Sequence, residues 1–271
     1  MECIDLFDFR ERFAHARSLA VVGNSPVVLE HENGALIDSH DLVVRFNRAR
    51  TDDLEDKLGR RTDILVANEK NCLEWGPSPA TTLKPQAILC FVAPKPQAEL
   101  DIAPFRQWVA DIPTCITLAP DLVGVDNPFR TRLLTQGSYA LYTLLRLLPV
   151  ERLFLTGFTL YGAAPGGAGK YYGAGRNRVG TWHDLDQEAA VFTSTLAAYG
   201  GELQATPEVY TLLERQGHRR TGHGTPATTA RPPGLYERVL GRIAWRLLRW
   251  GMGLRRSLER RGPIDFEGLK K

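Results

Sequence analysis

Six short apolar runs rich in β-branched residues, 19–22, 41–46, 63–67, 87–93, 114–118 and 152–156, recur along the chain with polar or helix-like stretches between them. They are continuous rather than alternating, the pattern of strands covered on both sides. Helix-like stretches fall at 53–59, 98–110 and 138–148, the last carrying Tyr139, Tyr142, Leu145 and Leu148 at helical spacing. Strands in alternation with helices predict an α/β fold, a mostly parallel sheet with helices on both faces. At 271 residues, 43% hydrophobic and 24% charged, the chain has enough apolar material to bury such a core.

Open α/β sheets place their ligands at the carboxyl ends of strands, so the residues leaving each run matter most. Leu19-Ala20-Val21-Val22 breaks into Gly23-Asn24-Ser25-Pro26, a tight turn with neutral hydrogen-bonding groups suited to a phosphate or a sugar hydroxyl. The run that follows Ile37-Asp38-Ser39-His40-Asp41 ends on Arg45-Phe46-Asn47. A second block, Thr135-Gln136-Gly137-Ser138, opens the helix-like stretch before Arg152–Phe158. Thr135 to Ser138 there sit at a helix N-terminus, where exposed amides and the dipole favour an anion; by itself a Ser or Thr in that place marks only an N-cap. A third block, Thr181-Trp182-His183-Asp184-Leu185-Asp186-Gln187-Glu188, opens a helix running to about Gly200. His183 suits a general base because its neutral form can take a hydroxyl proton near neutral pH; a polar residue at a helix start is the plainer reading.

In this order the blocks resemble the sialyl motifs of the eukaryotic-type sialyltransferases, glycosyltransferase family 29. The large motif, Ala-Val-Val-Gly-Asn-Ser then Ile-Asp-x-His-Asp-x-Val-x-Arg-x-Asn, matches closely; Thr135–Leu141 with Leu153–Phe158 resembles the small motif, and His183 to Glu188 the very small one. The resemblance covers roughly residues 19–200. It implies a Rossmann-like sheet of the variant GT-A kind and inverting transfer of a keto-acid sugar, sialic acid or Kdo, from its CMP-activated donor to a hydroxyl of a glycan or lipid-linked acceptor. It carries over His183 as catalytic base. Donor binding falls to Asn24, Ser25, Asn47, Thr135 and Gly137, with Gly23 and Glu188 as structural support, Glu188 holding the turn that presents His183. Lys170-Tyr171-Tyr172 stands where the family has His-Tyr-Tyr or His-Tyr-Trp, so Lys170 and Tyr171 join the donor residues, Lys170 on the leaving phosphate. That departure also leaves room for an inactive, CMP-nucleotide-binding membrane module. No metal is implied, because the leaving group carries a single phosphate. Asp184 and Asp186 make no cation pair, since residues two apart on a helix diverge.

Two other nucleotide folds are excluded by pattern. No Gly-x-Gly-x-x-Gly follows the first run, which disfavours a dinucleotide oxidoreductase, and Gly169-Lys170 fails as a P-loop, with Ala164 at the required glycine and Tyr171 for Ser or Thr. The glycine-rich stretch 162–180 reads instead as an active-site lid.

Net charge, +3 overall, is unevenly placed: residues 231–261 carry nine Arg against Glu237 and Glu259, leaving the first 230 residues mildly acidic. The division expected is a catalytic domain over 1–214, a Gly-, Thr- and Pro-rich linker over 215–233, and a basic amphipathic tail over 234–271. In the tail Val239, Ile243, Leu247, Trp250, Leu254 and Leu258 form a stripe among arginines, suited to an anionic membrane surface through residues 235–261 and unlike a nucleic-acid face. Residues 1–18 lack a long apolar stretch, and Ser18-Leu19 replaces the family's disulfide-forming cysteine. The location expected is therefore cytoplasmic, peripheral on the membrane. Cys90 and Cys115 read as buried thiols, Trp108 as buried against the sheet, and His31 as a surface residue.

Overall fold

The computed structural model describes residues 1–67, 77–92, 103–118, 134–160, 170, 171, 183 and 185–215. The proposed tail helix over 235–261, and the lid apart from Lys170 and Tyr171, lie outside them.

Every apolar run named above is a strand: β2 (Ser18–Val22), β3 (Leu42–Phe46), β4 (Ile64–Ala67), β5 (Ala87–Val92), β6 (Thr114–Leu118) and β7 (Arg152–Thr156). Two more, β1 (Cys3–Ile4) and β8 (Glu202–Ala205), form the edges of one eight-stranded sheet ordered β1-β6-β5-β4-β3-β2-β7-β8, with all pairings parallel. β8 escapes a hydrophobicity scan because it is an edge, its residues exposed or half-buried. The helices are α1 (Leu6–Phe13), α2 (Gly34–Asp38), α3 (Glu55–Leu58), α4 (Pro79–Thr82), α5 (Ala103–Val109), α6 (Gln136–Leu147), α7 (Leu185–Ala197) and α8 (Pro207–Arg215), with a 3₁₀ turn over Pro26–Glu30.

The period-two alternation of strand side chains splits the core between two faces. Leu19, Val21, Leu42, Val44, Leu153 and Leu155 pack on one side with Phe9 and Phe13 of α1, Leu141 and Leu144 of α6, Phe192 of α7 and Val209 of α8. On the other side, Leu65, Ala67, Ile88 and Cys90 meet Phe105, Trp108 and Val109 of α5, while Ala20, Val22, Val43 and Phe154 meet Val28, Ile37 and Leu58. Both faces are covered, as the continuous apolar strands required. Cys90 and Cys115 are buried and outside any disulfide, and burial pushes the Cys115 thiol up.

From β2 the chain steps outward through β3, β4, β5 and β6, then returns to place β7 on the opposite side of β2. The strand order thus reverses at β2, and connections leave β2 and β7 in opposite directions, opening a crevice at their carboxyl ends. The two strands meet there backbone to backbone. Gly23 donates to Thr156 O at 2.8 Å, Ser25 N to Gly157 O at 3.1 Å, and Gly157 holds a left-handed φ of +74°. A Cβ on Gly23 would stand 2.3 Å from Gly157 O, so this glycine is required by its neighbouring strand. Gly23→Ala is therefore expected to lower stability by about 2 kcal/mol, read in a thermal melt; an unchanged melting temperature would refute this packing.

Candidate active site

The carboxyl ends of β2 and β3 are tied together by their asparagines. Asn24 Nδ2 donates to Phe46 O at 3.2 Å, which sets it beside Asn47. Asn47 turns the chain out of β3 with a φ of +53°, donates its amide to Val66 O at 2.8 Å, and keeps its buried Oδ1 without a hydrogen-bond partner among the described residues. A short amide side chain tolerates this left-handed turn where a β-branched one would not. Ser25 is buried, its Oγ accepting from the Thr159 hydroxyl at 3.2 Å, so it fastens the β2 turn to the β7 exit.

Tyr171 closes over this corner. Its amide donates to Asn24 O at 3.0 Å; its hydroxyl donates to Arg50 O at 3.0 Å and accepts from Arg50 N at 2.9 Å. Burial raises the phenol's pKa, which keeps it a neutral donor. Lys170, half-buried next to it, has its ammonium pushed below the ordinary lysine value by burial first and then by the charge of Arg48. Five of the ten residues singled out from sequence, Gly23, Asn24, Ser25, Asn47 and Tyr171, are thus linked at one corner of the crevice, and Lys170 is carried there by its neighbour.

A second group forms around the N-terminus of α6. Because β6, β7 and β8 are parallel, both α6 and α7 must begin on the carboxyl side of the sheet. Glu188 on α7 is fully buried. Its Oε2 accepts from Thr135 N at 2.8 Å, and its Oε1 takes the hydroxyls of Thr135 and Ser138. The geometry adds two particulars to the sequence reading. Glu188 holds the start of α6, a different element from the turn before α7. Thr135 directs its amide and hydroxyl to that carboxylate, which compensates the buried acid. Gly137 packs on the Phe158 ring, where a Cβ would lie 3.0 Å from Cε1, and the same ring lies 3.2 Å from a Cβ built on Gly23. Phe158 therefore joins the two groups. His183 is half-buried and stands two residues ahead of α7, on the same side of the sheet.

The charged middle of the large motif lies elsewhere, at the amino end of β3. Asp41 Oδ2 accepts the amides of Arg17 and Ser18, which hold its carboxyl below the usual range. Asp38 accepts the amides of Arg60 and Arg61, and His40 Nδ1 meets Leu36 O at 2.8 Å. Arg45 is fully buried and donates to carbonyls of Leu58, Gly59 and Arg61. These residues build the loops between strands.

His31 departs from the surface reading. It lies 3.2 Å through Nε2 from Oε2 of the buried Glu208, whose Oε1 accepts from Gly157 N at 3.2 Å and from the Thr206 hydroxyl. The pair braces the β7 exit. Thr206-Pro207-Glu208 at a helix start was its only sequence signal, and that reads as a cap. Arg48 also gave no signal, since its meeting with Lys170 joins segments far apart in sequence. Among the described residues no group of three or more His, Cys, Asp or Glu could hold a metal ion, and no helix is long and apolar enough to cross a membrane.

An all-parallel, doubly wound α/β protein with its polar residues gathered at the switch point is the class these features define. The model of glycosyltransferase family 29 (sialyltransferase) matches residues 6–93. A β-1,6-galactosyltransferase of Arabidopsis thaliana is 47% identical over 51 residues, 19% of this chain and 13% of that protein. A pig CMP-N-acetylneuraminate-β-galactosamide-α-2,3-sialyltransferase is 36% identical over 90 residues, 27% of this chain and 26% of its own length. The chain thus spans well under two thirds of these relatives. A crystal structure of a mammalian sialyltransferase with Gal-β-1-3GalNAc-ortho-nitrophenol superposes with a TM-score of 0.48 at 21% identity, over 70% of this chain and 69% of that one. The matched residues 6–93 hold the large motif with β2 and β3.

Proposed function

We propose that the protein is an inverting glycosyltransferase that moves a keto-acid sugar from CMP to a hydroxyl of a glycan or lipid-linked acceptor. The observation that carries this reading is the corner where Asn24, Asn47 and Tyr171 are tied together at the carboxyl ends of β2 and β3, both asparagines lying within the segment that the family model matches. The pig relative's name supports CMP-N-acetylneuraminate as the donor class; the plant relative's name, a galactosyltransferase, makes the sugar a matter for direct test.

In this reading His183 takes the proton of the acceptor hydroxyl. The hydroxyl oxygen forms its bond to the anomeric carbon as the bond to the phosphate oxygen breaks, and CMP leaves with the electron pair. Lys170 balances the charge on the departing phosphate, and the Asn47 side chain offers an acceptor to a ribose or sugar hydroxyl. The variant GT-A assignment, a cytoplasmic location and docking of residues 235–261 on a membrane belong to the same proposal. The arginine-flanked apolar stripe of that segment supports the docking.

The test is CMP release from CMP-sialic acid and CMP-Kdo, each with bacterial envelope glycan acceptors, alongside a thermal shift with CMP. Turnover of one donor is the expected result and names the sugar. Stabilisation by CMP with turnover of neither would favour an inactive binding module, and absence of any CMP effect would overturn the reading.

A further inference from the structure

Arg48 follows the left-handed turn at Asn47, so it leaves the sheet at the mouth of the crevice. It is exposed, and it borders two features at once. One is Lys170, within electrostatic reach on the Tyr171 strap. The other is a hollow of about 250 Å³ beside Asn47, lined by Arg48, Arg50, Thr82, Leu83 and Trp108 among others. The Tyr171 hydroxyl clamps the backbone of Arg50, so the strap that carries Lys170 also borders this hollow.

Two cations brought together from segments distant in sequence raise each other's cost, and part of that cost falls on the half-buried Lys170. A single phosphate needs one of them. The hollow offers the chemistry of a sugar site: Trp108, only 8% exposed, forms part of its wall, Thr82 brings a hydroxyl, and the Asn47 Oδ1 has no hydrogen-bond partner among the described residues.

We infer that Arg48 is a specificity-determining residue that pairs with the carboxylate of an acidic donor sugar held in the hollow beside Asn47, while Lys170 serves the phosphate. The inference rests on the donor-site reading given above. It makes the site selective for donors with two separate anionic centres, and it separates this chain from enzymes whose transferred sugar is neutral.

Binding is the readout, because it does not require the acceptor. Calorimetry would compare CMP, the non-transferable CMP-3-fluorosialic acid, CMP-Kdo and UDP-galactose on the wild-type chain and on Arg48→Gln and Arg48→Lys. The expected result is that Arg48→Gln weakens a keto-acid donor by about tenfold and CMP by less than about twofold, with Arg48→Lys intermediate. Arg48 is exposed, so the variants should fold and melt as the parent does. Equal weakening of CMP and the keto-acid donors would assign Arg48 to the phosphate and overturn the inference. So would unchanged affinity for all ligands, or a loss confined to UDP-galactose. Failure of the wild-type chain to bind any of the four would instead overturn the donor-site reading itself, and this inference with it.

Discussion

His183→Ala is expected to lower sugar transfer by about 10²–10⁴-fold while leaving CMP affinity and melting temperature close to those of the parent chain. The argument joins chemistry to position. His183 stands two residues ahead of α7, where the chain enters from the carboxyl side of the sheet, the side that carries Asn24, Asn47 and Lys170. It is half-buried, so its loss leaves no large core cavity. An imidazole removed from a site of proton transfer affects the chemical step and spares ground-state binding of the nucleotide. Transfer within a few fold of the parent would remove His183 from the mechanism.

The largest effect on stability is expected at Glu188. Its carboxylate is fully buried and accepts from Thr135 N, the Thr135 hydroxyl and the Ser138 hydroxyl. Glu188→Ala strands three donors, that of Ser138 buried and the two of Thr135 half-buried, and uncovers the positive end of α6, for a cost of about 3 kcal/mol. Glu188→Gln keeps an acceptor but turns an amide donor toward another donor, and should lie between. Chemical denaturation gives the magnitude. Hydrogen exchange in α6 gives the location, because the amides of its first turn should lose protection ahead of those in β2 and β3. Were Glu188 only a support for the turn at His183, Glu188→Ala would impair transfer and leave α6 exchange unchanged.

Much of the fold was legible in the chain. The six apolar runs are the six inner strands, because a strand covered on both faces must be apolar at consecutive positions, and that pattern survives without knowledge of its partners. β1 and β8 were not legible for the converse reason: a short edge strand is paired on one side only and needs little apolar character. The site divided along similar lines. Gly23, Asn24, Ser25 and Asn47 were readable because each acts close to a strand end, and strand ends follow from strands. The partners of Glu188, Glu208 and His31 were not readable because each acts on an element distant in sequence, Glu188 on Thr135 and Glu208 on Gly157 and His31.

By itself the sequence determined the α/β class, the six inner strands and the turns that leave β2 and β3, since these follow from local hydrophobic periodicity and from the backbone needs of single residues. The tertiary structure alone decided which polar groups face the crevice and which are consumed within the protein. Arg45, Asp38 and Asp41 share a motif with Asn24 and Asn47, yet the first three hold loops while the asparagines line the strand ends. The placing of Arg48 within electrostatic reach of Lys170 was decided there too. The physical reason is that a buried polar group must find its partner wherever the packed chain supplies one, and that partner is fixed only when the sheet has brought distant segments together.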